Sequence, residues 1–127
     1  MTSPETDAVV QQETATATTA STAHDTETAA LLPFPDFTYR HIWGDRVGWW
    51  LLTLNHSQIH STSNVFVSMS ELDDLVTSND PVPKPKPSSA RMTVHSVAPV
   101  AGGVAVLIFV DSQTPVFTQL SYLVVNP

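Results

Sequence analysis

From Phe37 onward the chain alternates large and polar side chains with a period of two. Phe37, Tyr39, His41 and Trp43 fall on one side of an extended segment, and Thr38, Arg40 and Ile42 on the other, the pattern of a strand with one buried face. Gly44 and Asp45 then read as a turn. Residues 47–54 (VGWWLLTL) are apolar on both faces. Their short span and aromatic content favour a central strand over a buried helix. Alternation resumes at 64–70, with Val65, Val67 and Met69 facing one way and Phe66 the other. Residues 71–76 read either as one helical turn or as the frayed end of that strand. Three more strands are expected at 91–97, 104–110 and 116–125. Gly102 and Gly103 introduce the second of these, and a loop of hairpin length, 111–115, separates the last two. Six strands without a helix predict an all-β fold, an antiparallel β-sandwich of which a jelly roll is one form. Two packed sheets are the simplest way to bury both faces of 47–54 and 104–110.

The segments outside this pattern set the domain boundaries. Residues 1–30 are dominated by Thr and Ala and contain nothing bulky enough to offset the entropy of ordering. They are expected to form a disordered or extended acidic arm, either lying along a neighbouring subunit or hanging free. Pro33 and Pro35 bracket Phe34 at the entry to the folded part, 31–127. Within it, 80–89 carries Pro81, Pro83, Pro85 and Pro87 at every second position. This predicts an extended, polyproline-type linker that no sheet runs through. As a ligand for an aromatic-lined groove the same repeat is the less favoured reading.

Charge narrows the partners. The net charge is −7, and residues 1–30 hold Glu5, Asp7, Glu13, Asp25 and Glu27 without a Lys or Arg. The five basic residues of the chain, Arg40, Arg46, Lys84, Lys86 and Arg91, are scattered. Nucleic-acid binding through a basic patch is therefore not expected. The longest apolar run, 102–110, is far shorter than the roughly 20 residues of a membrane helix. Residues 1–12 have neither the basic cluster nor the apolar stretch of a secretory leader. The absence of cysteine excludes disulfides and thiolate chemistry.

Candidate chemistry is sparse. His56 and His60, four apart, would suit a metal on a helical turn, with His41 or Asp45 as a further ligand. No HExxH glutamate lies between them, and the setting reads as a loop with surface histidines. Glu71, Asp73, Asp74 and Asp80 lack the order of an EF-hand, which leaves a solvated acidic face. The chain has no GxSxG elbow and no phosphate-cradling GxxxxGK[ST] loop. The expectation is a protein that is not an enzyme and carries no cofactor, metal or catalytic residue. Trp43, Trp49 and Trp50 are the candidate interface residues. Because Trp49 and Trp50 are adjacent, they must point to opposite faces, so one is free to be interfacial while core packing claims the other.

Two stretches support a resemblance. Residues 48–54 (GWWLLTL), followed by 63–71 (SNVFVSMSE), resemble the late strand pair of the jelly-roll coat proteins of picorna-like viruses. The Thr-rich stretch 11–22 resembles the N-terminal arms that run beneath such shells. Together they cover under half of the chain. With six expected strands against the eight of a full jelly roll, the resemblance implies a small, minor or partial shell protein, located in a virion. Its partners would be copies of itself or other coat subunits. The alternative is a β-sandwich binding module that recognises a protein or carbohydrate partner.

Overall fold

The computed structural model describes residues 9–17, 35–74 and 76–127. These form eight strands: β1 Gln11–Thr16, β2 Phe37–Arg46, β3 Gly48–Asn55, β4 Asn64–Asp73, β5 Lys84–Lys86, β6 Arg91–Val100, β7 Gly103–Asp111 and β8 Val116–Val125. They build two packed four-stranded sheets, sheet A in the order β1-β3-β7-β6 and sheet B in the order β2-β8-β4-β5. All pairings are antiparallel except that of β1 with β3. The expected all-β sandwich is the fold found. Early strands pair with late ones in a nested manner, β2 with β8 and β3 with β7.

Alternation decides the interior. Leu52 and Leu54 of β3, and Val104, Val106, Ile108 and Val110 of β7, meet Trp43, Leu120, Tyr122 and Val124 of sheet B in one core. Along β2 the sequence pattern holds: Phe37, Tyr39, His41 and Trp43 point inward, while Thr38, Arg40 and Ile42 are exposed. A two-layer sandwich buries only one face of each sheet. The second apolar face of β3 and β7, expected to be buried as well, lies on the outside of sheet A with Trp49, Leu51, Leu107 and Phe109 half-buried.

Several local expectations are corrected. Gly44 and Asp45 do not turn the chain; β2 continues to Arg46, and its register shifts between Ile42 and Gly44. Gly44 absorbs that bulge with φ of +96°, a conformation that a side-chain-bearing residue rarely adopts. The segment 111–115 is not a hairpin loop, because β7 and β8 belong to different sheets and the chain crosses between them. The hairpin is instead β6–β7, closed by Ala101 and Gly102. Gly103 leads out of it so close to β3 that a Cβ there would lie 2.5 Å from the Leu54 carbonyl oxygen. Of the two readings for 71–76, strand holds through Asp73.

The remaining two strands were not expected. Part of the proline repeat does enter a sheet: β5 pairs Lys84, Pro85 and Lys86 with Asp73, Leu72 and Glu71. It is short and sits at the sheet edge, where a residue without an N–H is tolerated and blocks further pairing. Of the arm, Gln11–Thr16 is strand β1, laid parallel on β3 with Gln11 opposite Trp50 and Thr16 opposite Asn55. The rest of the arm and the entry segment, residues 1–8 and 18–34, lie outside the described residues.

Candidate interaction surfaces

The three tryptophans separate as their positions require. Trp43 (β2) and Trp50 (β3) face the interior and meet edge to face, with ring centroids 5.3 Å apart. The Arg46 guanidinium lies over both rings, 4.8 Å from the Trp43 centroid and 5.0 Å from that of Trp50, a cation–π arrangement. Glu13 reaches over from β1 to close the cluster. Its carboxylate accepts a hydrogen bond from the Trp43 indole N–H at 2.8 Å and one from Arg46 Nη2, also at 2.8 Å. One side chain of the arm thus rivets sheet A to sheet B. Beside it His41 is half-buried, and its Nδ1 has no partner among the described residues. Burial holds its pKa below the ordinary value, the Glu13 carboxylate opposes this, and Arg46 reinforces it.

Trp49 is the tryptophan that faces outward. Its ring stacks on Phe109 at 4.7 Å and tilts against His95 at 4.6 Å. Trp49 pairs across the sheet with Phe109, and Leu51 with Leu107. Val10, Trp49, His95 and Leu107 line a shallow hollow of about 250 Å³. The cross-strand rows continue into uncharged neighbours: Thr93 beside Phe109, and Ser96 beside Leu107 with Gln12 beside Leu51. Among the described residues charge returns only at one end, where Arg91 and Asp111 stand opposite each other.

The two histidines of the pair lie in different surroundings. His56 is not on the surface but is 4 % exposed, stacked on Phe37 at 4.4 Å with the Tyr39 ring edge-on at 5.7 Å. Its Nδ1 accepts the Gln58 backbone N–H, and burial lowers its pKa from the ordinary value. His60 is exposed. The acidic residues are dispersed into local contacts as well: Glu71 takes the Ser88 hydroxyl and pairs with Lys86, and Asp80 pairs with Lys84. Among the described residues no three His, Asp or Glu side chains converge as metal ligands, and no helix is long and apolar enough to cross a membrane.

Sequence reasoning missed Glu13 and Arg46. They are 33 positions apart, and the only signal was an acid in an otherwise Thr- and Ala-rich segment. Comparison with known protein families, curated proteins and solved structures returns no match.

Proposed function

We propose that this chain is a non-enzymatic structural protein that assembles with copies of itself or with related subunits. In its specific form it is a small or partial coat subunit of a picorna-like virus. The observation that carries the reading is the outer face of sheet A, where Trp49, Leu51, Leu107 and Phe109 form an apolar patch on the sandwich. Rows of large apolar side chains on an outer sheet face mark an interaction surface. Among the described residues the patch carries no Asp, Glu, Lys or Arg within its rows. In a chain of net charge −7 it is therefore a place where two copies meet without like-charge repulsion. The nested pairing of β2 with β8 and β3 with β7 supports the coat-like form, since jelly rolls are built from such nesting. So does an arm strand that adds to a sheet edge.

The test is molar mass by light scattering over a concentration series of the full chain, beside the double variant Leu51→Thr/Leu107→Thr. Both substitutions are on the outer face and keep β propensity, so the sheet spectrum in circular dichroism should persist. A mass above that of the monomer, lost in the variant, supports the proposal. A monomer at every concentration, alone and with candidate coat subunits, rejects it.

A further inference from the structure

The outer face of sheet B carries different chemistry from that of sheet A. Across β2, β8 and β4, Thr38, Leu123 and Phe66 form one row and Arg40, Ser121 and Ser68 the next. Small serines among larger neighbours leave a depression of about 350 Å³ whose lining includes these six residues, a volume within the range of small-molecule sites. Phe66 stands beside it 60 % exposed.

Arg40 is fixed at the other side. Its Nε donates to the Gln119 side-chain oxygen and its Nη2 to the Pro83 carbonyl. Both acceptors are neutral, whereas Arg46, Lys84 and Lys86 each pair with a carboxylate. The Arg40 guanidinium is thus held in place with its charge uncompensated by any carboxylate among the described residues, and its Nη1 donors remain for a ligand. Gln119, itself buried, also donates from Nε2 to Ser121 Oγ at 3.2 Å. With its oxygen engaged as acceptor, the Ser121 hydroxyl hydrogen is left to donate outward. One buried amide therefore orients two of the polar groups that border the depression, Arg40 and Ser121.

A guanidinium whose Nη1 hydrogens are open makes charge-assisted hydrogen bonds to a carboxylate, stronger than those to a neutral acceptor. Hydroxyls on Thr38, Ser68 and Ser121 exchange hydrogen bonds with other hydroxyls, and an exposed phenyl ring offers a flat apolar surface. A carboxylate, a rim of hydroxyls and an apolar C–H face coincide in one ligand class. We propose that this depression is a binding site for an acidic sugar of the uronic or sialic type. The carboxylate is held by Arg40, the C–H face of the ring by Phe66, and the hydroxyls by Ser68 and Ser121. A second copy of this chain is a poorer occupant, because symmetric pairing of this face sets Arg40 against its own mate. The site is independent of the assembly reading of sheet A.

The experiment is saturation-transfer NMR and isothermal titration of the full chain with methyl α-N-acetylneuraminide and with glucuronic acid. Galactose and inorganic sulfate serve as the neutral-sugar and bare-anion controls. Arg40→Gln and Phe66→Ala replace exposed side chains, and circular dichroism confirms their fold. Saturable binding of an acidic sugar is expected, weakened by about tenfold or more in each variant, with galactose silent and sulfate failing to displace the sugar. Absence of binding at about 10 mM, well beyond the weak end of useful affinity, overturns the proposal. Binding that both variants retain, or that sulfate abolishes, overturns it equally.

Discussion

Replacing Glu13 by alanine tests how the arm strand is held. The change removes the acceptor of the Trp43 indole N–H, on a residue only 4 % exposed, and a buried donor left without a partner costs about 1–3 kcal/mol. It also breaks the pair with Arg46, where the two side chains are 31 % and 19 % exposed, and partial solvent screening limits that loss to about 1 kcal/mol. The expected destabilisation is therefore about 2–4 kcal/mol. It has a ceiling set by the fold. Among the described residues of the arm, β1 and the residue after it bring only small apolar side chains to the core, Ala15 and Ala17, so once the rivet is gone the strand can detach while the rest stays folded. Glu13→Ala then cannot cost more than deletion of residues 1–17, and should approach it. Glu13→Gln retains an oxygen for Trp43 and should lose only about 1 kcal/mol. Urea unfolding followed by tryptophan fluorescence measures all three, and hydrogen exchange at β3 amides reports detachment directly. A cost under about 0.5 kcal/mol for Glu13→Ala, within the range of an ordinary surface change, refutes the reasoning. So does a cost clearly above that of the deletion.

Other expectations follow from single positions. Gly103→Ala places a Cβ 2.5 Å from the Leu54 carbonyl oxygen, a backbone atom that cannot swing away. It should cost about 1–3 kcal/mol in chemical denaturation, as overpacking does. The Tyr122 hydroxyl is buried without a partner among the described residues, and its pKa is pushed up by burial first and by Tyr39 second. Tyr122→Phe should therefore leave the melting temperature unchanged or raise it, and a marked fall would show an unrecognised hydrogen bond. His41 and His56 both have lowered pKa values, so below their ordinary value the unfolded chain binds more protons than the folded one. Their contribution is complete above about pH 6.5 and is lost as pH falls through that value. A melting-temperature series from pH 8 to pH 5 should show this decline, shallower in His56→Gln; a flat profile contradicts it.

The sheets were legible because their strands obey the period of two. Phe37, Tyr39, His41 and Trp43 are inward as their spacing requires, and Phe66 is outward against Val65 and Val67. Strand β1 was not legible, since Gln-Gln-Glu-Thr-Ala-Thr has no apolar alternation. Its place comes from backbone pairing to β3 and from one carboxylate whose partners are far away in sequence. Strand β5 was hidden by its proline, which reads as a sheet breaker until the neighbouring edge is known. For the tryptophans, adjacency required Trp49 and Trp50 to oppose each other, but only the position of β2 shows that Trp50 is the inner one. His56 looked like a loop histidine and is buried because Phe37, 19 residues earlier, stacks upon it. The bulge at Gly44 likewise mimics a turn, because a glycine with positive φ serves both purposes.

Hydroxyl-radical footprinting over a concentration series, read by mass spectrometry at single residues, addresses the assembly surface most directly. Trp49 and Phe109 should become protected as concentration rises, while Phe66 on the opposite sheet keeps its reactivity. Equal reactivity of Trp49 at every concentration, or protection of Phe66 in its place, contradicts the assignment of sheet A as the face where copies meet.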